Sequence, residues 1–143
     1  MSFSLRTSSS LVALAALCAA ALASPVAPAA EPVTTATGLV YEELVAGRGE
    51  QPTAADRVRV HYVGTFADGS EFDSSVRRGQ PAEFPLGRVI KCWTEGVQRM
   101  KVGGKARLTC PAAIAYGDKG AGGVIPPGAT LYFEVELLGV SKP

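Results

Sequence analysis

The run Arg57–Phe66, RVRVHYVGTF, constrains the fold more than any other stretch of the chain. Val58, Val60 and Tyr62 alternate with Arg57, Arg59 and His61, the period of a strand with one buried and one wet face. Ala67-Asp68-Gly69 follows as a hairpin turn, with Gly69 free to take positive φ, and Glu71–Ser75 returns as a strand. Thr130–Val140 alternates Leu131, Phe133, Val135 and Leu137 against Tyr132, Glu134 and Glu136. Leu39–Leu44, Lys105–Cys110 and Ala82–Leu86, the last shortened by Pro81 and Pro85, supply further strands. Thr94–Met100 is the one helical segment. Trp93, Val97 and Met100 recur at helical spacing, Thr94 or the residue before it caps, and Val102-Gly103-Gly104 stops it. Mostly strands with one short helix predicts an α+β antiparallel sheet curled over that helix.

The first residues stand apart from this pattern. Arg6 precedes an apolar stretch from Leu11 to Ala23, and Ala21-Leu22-Ala23 is a cleavage pattern, so residues 1–23 are expected to be a secretory signal peptide. The alternative is an uncleaved anchor, against which the short, Ala-rich stretch argues. Cys18 raises a lipid-modified alternative, but Leu17 stands where a small residue is needed. Removing Arg6 leaves the 13 Asp+Glu balanced by the remaining Lys and Arg. Residues 24–37, SPVAPAAEPVTTAT, are expected to be an extended, poorly ordered tether, and residues 38–143 the globular domain. An exported chain keeps Cys92 and Cys110 in an oxidising compartment. They form either a disulfide or two separate buried thiols. Neither lies in a C-x-x-C, which argues against redox catalysis.

Charge and residue type exclude several chemistries. With 14 Lys+Arg against 13 Asp+Glu there is no basic excess for nucleic acid. His61 is the only histidine and sits on a polar strand face without acidic neighbours, so no metal site is expected. No G-x-S-x-G occurs, and Gly103-Gly104-Lys105 is followed by Ala106, so neither a serine hydrolase nor a P-loop fits. The long Pro111–Ala129 loop is dense in Gly and Pro, and loops of this length in a compact domain are usually functional or disordered. What remains is apolar and aromatic, and its plainest reading is a core. Tyr62, Asp73 and Tyr116 add polar tips to that set, as in a small-ligand pocket.

These residues resemble the FKBP-type peptidyl-prolyl cis-trans isomerases, the macrolide-binding immunophilins. The matching blocks are Val60–Ser75, Phe84–Gly87, Val89–Leu108, Ala115–Gly117 and Ile125–Leu138, in family order across Gly38 to about Ser141. The resemblance implies a five- to six-stranded antiparallel sheet wrapped around one short helix, with a pocket between them. It implies Trp93 as the pocket floor, Tyr62, Phe72, Phe84, Val89, Ile90 and Phe133 as walls, and Tyr116 and Ile125 on the flap side. Asp73 becomes the carboxylate beside the pocket, with Arg78 its neighbour. Ala82, Cys92 and Ala121 depart from the commonest pattern, the first and third at the pocket rim.

The implied activity is isomerisation of X-Pro bonds in exported proteins without a cofactor. Trp93, Phe72 and Phe133 would enclose the proline ring. The Ile90 N–H and the Tyr116 hydroxyl would hold substrate carbonyls, while Asp73 and Tyr62 set the polarity around the twisting amide. Macrolide inhibitors are expected to bind, and a monomer is the default. A periplasm fits best, ahead of secretion or membrane tethering. The rival from another class is a binding module that holds apolar or proline-containing segments without turnover.

Overall fold

The computed structural model describes residues 31–143, so the expected signal peptide and the first half of the expected tether lie outside the described residues. Seven strands form one antiparallel sheet: β1 Val33–Thr34, β2 Val40–Val45, β3 Arg57–Thr65, β4 Glu71–Ser74, β5 Ala82–Pro85, β6 Lys105–Cys110 and β7 Leu131–Ser141. Their order is β1-β2-β6-β7-β3-β4, with β5 also on β3. In the centre, β3 pairs with β7 along its whole length, from Arg57↔Ser141 to Thr65↔Tyr132. The alternation explains this placement. Val58, Val60 and Tyr62 are buried from β3, and Leu131, Phe133, Val135 and Leu137 from β7.

The edge beyond β3 is one strand broken in two. β5 pairs with Arg57–Val60 and β4 with Val63–Thr65. Between them a one-turn helix, α1 Ser75–Arg78, interrupts the edge. Ser74 Oγ caps its start by accepting the Arg77 N–H, and Gly79 closes it with φ 71°, a left-handed value that favours glycine. Ser75 thus begins a second helix and does not end the strand, where alternation alone predicts a strand to Ser75 and a single helix. The serine and glycine flanking four residues were the signal for this second one.

Helix α2 spans Lys91–Val97, three residues earlier than expected. Its N-cap is Ile90, whose hydrocarbon side chain cannot accept a capping bond; Thr94 lies inside the helix and its Oγ1 donates to the Leu86 carbonyl at 2.7 Å. Trp93 and Val97 face the sheet, whereas Met100 is buried after the helix has ended. Close packing is enforced at Gly96, where a Cβ would stand 2.7 Å from Leu108 Cδ2 of β6. Cys92 of α2 and Cys110 of β6 are joined, with Cα atoms 5.7 Å apart, which ties the helix to the sheet.

The tether expectation fails at its C-terminal end. Val33 and Thr34 pair with Tyr41 and Val40, and Thr35 N–H donates to the Leu39 carbonyl at 2.8 Å. The Thr37 hydroxyl also donates to Glu95 of α2. The long loop after β6 is not structureless either. It holds two short 3-10 turns, Ala112–Ile114 and Gly117–Lys119, and an antiparallel bridge between Ala121 and Ile125.

Candidate functional site

Between α2 and the concave face of the sheet lies a recess of about 390 Å³. Trp93 forms its floor because α2 presents its first turn to the sheet. Three rings meet the indole edge-on: Tyr62 at 5.2 Å between centroids, Phe133 at 5.4 Å and Phe84 at 5.6 Å, with interplanar angles of 86° to 90°. Phe72 extends this wall, standing 5.6 Å from Phe133 at 85°. Such edge-to-face contacts hold aromatic rings at fixed angles beyond simple burial. Gly64 makes the Phe72–Phe133 pair possible. A Cβ there would stand 2.6 Å from Phe72 Cζ and 3.1 Å from Phe133 Cε1.

One wall is polar. The Tyr62 hydroxyl donates to Asp73, and Arg78 donates both to Asp73 and, at 3.1 Å, to the Tyr62 oxygen. The guanidinium carbon lies 5.8 Å from the Tyr62 ring centroid. Partial burial acts to raise the Asp73 carboxyl, but the hydrogen bonds from Tyr62 and Arg78, together with the Arg78 charge, outweigh it. The group is held below the usual carboxylate range and is ionised at neutral pH. Burial, and after it the bond to Asp73, pushes the Tyr62 phenol above its ordinary value. It therefore remains a proton donor. Helix α1 delivers Arg78 to this wall, and buried Ser75 fixes α1 to β3: its Oγ accepts the Tyr62 N–H at 2.7 Å and lies 3.0 Å from His61 Nδ1.

Tyr62, Phe72, Asp73, Phe84, Val89, Ile90, Trp93, Tyr116 and Phe133 all border this one recess. Tyr116 is 41% exposed at its mouth. Arg78 stands behind Asp73 and does not border it. Ile125 is 7% exposed, packs into the core and does not border it. Its backbone instead bridges to Ala121, over Gly120. Ala82 and Ala121 pack against the core away from the lining. Two residues escaped the sequence reading: Arg88, which borders the mouth, and Ser75, whose only signal was the cap pattern around α1.

A second recess, of about 440 Å³, lies on the outer face of the same strands beside the Phe66–Gly69 turn. Thr65, Arg107, Thr109, Tyr132 and Glu134 contribute to it, the wet side of the alternation. Phe66, Tyr132 and Phe133 also line it, but Trp93 and the Tyr62–Asp73 pair do not. Among the described residues, no three His, Cys, Asp or Glu side chains are placed to hold a metal ion. Likewise, no described helix is long and apolar enough to cross a membrane.

The sequence and the fold have counterparts among known proteins. The chain is 54% identical over 110 residues to an FKBP-type peptidyl-prolyl cis-trans isomerase, FkpA, of Aeromonas hydrophila, which covers 77% of this chain and 41% of that protein. It is 53% identical over 105 residues to the FKBP-type 22 kDa peptidyl-prolyl cis-trans isomerase of Escherichia coli, covering 73% of this chain and 51% of that one. The crystal structure of FkpA from Escherichia coli superposes with a TM-score of 0.76 at 50% identity, over 78% of this chain and 52% of that one. The chain thus spans about half or less of the length of these relatives. The family model described as FKBP-type peptidyl-prolyl cis-trans isomerase matches residues 48–138, which hold every residue lining the aromatic recess. By sequence and fold, the chain belongs to the FKBP-type peptidyl-prolyl cis-trans isomerase family.

Proposed function

We propose that this chain accelerates cis–trans isomerisation of X-Pro bonds in exported polypeptides, binding them non-covalently in the recess over Trp93. The observation that carries this reading is the set of three rings edge-on to Trp93 beside an ionised, paired Asp73. Twisting a peptide bond costs about 18–20 kcal/mol because amide resonance is lost. A twisted amide has a less polar carbonyl than a planar one, so a dry aromatic recess favours it over the planar ground state. Each 1.4 kcal/mol of that preference gives roughly tenfold in rate.

Trp93, Phe72 and Phe133 enclose the pyrrolidine ring. The Ile90 N–H and the Tyr116 hydroxyl hold carbonyls of the substrate chain. Asp73 and Tyr62 set the polarity at the twisting bond, and Asp73 acts as an electrostatic group without abstracting a proton. The proposed acting unit is a monomer. Macrolide ligands of the family compete for the same recess.

Residues 1–23 serve as a signal peptide and 24–32 as the tether, with the isomerase domain following in the periplasm. The joined Cys92 and Cys110 support an oxidising compartment. The alternative reading is a module that holds apolar or proline-containing segments without turnover. Refolding of a proline-limited protein separates the two activities. An isomerase shortens the slow phase, whereas a pure holder suppresses aggregation and leaves that phase unchanged.

A further inference from the structure

Only two residues lining the recess carry formal charge, Asp73 and Arg88. Asp73 is already neutralised by Arg78. Arg88 has no Asp or Glu oxygen within 4.0 Å among the described residues. The acids nearest to it in sequence are engaged elsewhere: Glu83 with Arg57 at 3.8 Å, and Glu95 with the Thr37 hydroxyl. The formal charge left at the mouth is therefore one cation. Lys91, exposed at the start of α2 and also without an ion pair among the described residues, adds to it.

The base of Arg88 is held firmly while its head is free. Leu86 is wholly buried, donates its N–H to the Asp56 carbonyl at 2.9 Å and accepts Thr94 Oγ1 at 2.7 Å. Gly87 lies so close to Ala54 that a Cβ would stand 2.9 Å from its carbonyl oxygen. After Arg88 the chain extends through Val89 to Ile90, both half-buried lining residues. Arg88 is thus mounted next to Val89 and Ile90 on the recess lining.

We infer that Arg88 selects substrates by charge, favouring X-Pro segments with an Asp or Glu adjoining the proline; this rests on the recess being the isomerase site. A free guanidinium at a part-exposed mouth attracts a carboxylate modestly and without catalysing anything, so its effect falls on KM.

The test uses the full chain and two pairs of tetrapeptides at low ionic strength. One pair carries Glu or Gln before the proline, the other Glu or Gln after it. In at least one pair the Glu peptide has a kcat/KM about threefold higher, through a lower KM. That ratio falls to about one in Arg88→Gln and in high salt, and inverts in Arg88→Glu. Because a ratio is read, any general weakening of the recess cancels. A ratio near one in both pairs, or a ratio that Arg88→Gln leaves unmoved, overturns the inference. If no peptide is isomerised, the isomerase reading fails by itself. Charge preference is then read from binding, by quenching of Trp93, the only tryptophan of the chain. Equal affinities for Glu and Gln peptides there would overturn it too.

Discussion

Trp93 and Phe133 meet at 90° with their ring centroids 5.4 Å apart, one on helix α2 and the other on the longest strand of the sheet. Both are 4% exposed, so the same contact closes the core and builds the recess. Replacing Phe133 therefore has two consequences that must be read separately. Phe133→Ala is expected to destabilise the fold by about 3–5 kcal/mol. Phe133→Leu keeps most of the volume and removes the ring edge. It should lower kcat/KM by about tenfold while thermal melting shows a folded protein.

The Tyr62–Asp73–Arg78 wall gives a pH dependence with a definite sign. Asp73 is held below the usual carboxylate range in the folded protein, so its contribution is complete above that range. It is lost as pH falls through the lowered value. Activity should be flat from neutral pH down to about 4, where a free Asp titrates, and decline only below. Asp73→Ala is expected to reduce kcat/KM by more than about twofold across the plateau. A variant within twofold of the parent would remove the electrostatic role and leave the ring enclosure as the whole site.

Gly64 is a glycine because Phe72 occupies the space its side chain would need. Phe72 is half-buried and can swing outward, so Gly64→Ala should be tolerated by the fold at a cost of about 1–3 kcal/mol. The displaced ring opens the wall, and KM should rise more than kcat falls. Peptide kinetics on the folded variant check this. Unchanged kinetics would mean that Phe72 does not touch the substrate.

The join between Cys92 and Cys110 has a sequence separation of 18 residues. On the chain-entropy picture it contributes about 3 kcal/mol. Reduction, or Cys92→Ala with Cys110→Ala, should lower the melting temperature by roughly 10 °C. A melting curve indifferent to reductant would show two thiols in place of a bond.

The strands were legible because their signal is the alternation that packing itself requires. Lys105–Cys110 has the bounds the sequence suggests, and Val58, Val60 and Tyr62 take the buried face expected of them. Helix α2 was displaced in the reading because Met100 continues the apolar spacing beyond the last helical turn. Burial after a helix ends looks the same in sequence as burial within it. Helix α1 has four residues, too few for any periodicity, and only its flanking Ser74 and Gly79 announce it. The ring set of the recess was readable from composition and resemblance together. Arg88 was not, since an exposed cation in a turn looks like a solvated surface residue until the fold places it at the mouth. The Val33–Thr34 strand was hidden for a similar reason, because two residues carry no pattern of their own.

The most direct test is the cis-to-trans rate of an X-Pro peptide with apolar X, measured at rising concentrations of the full chain. The expected result is a linear acceleration that a macrolide ligand abolishes and that Phe133→Leu cuts by about tenfold. No acceleration by a folded protein that still binds the macrolide would contradict it, and would leave the recess as a surface for holding polypeptides.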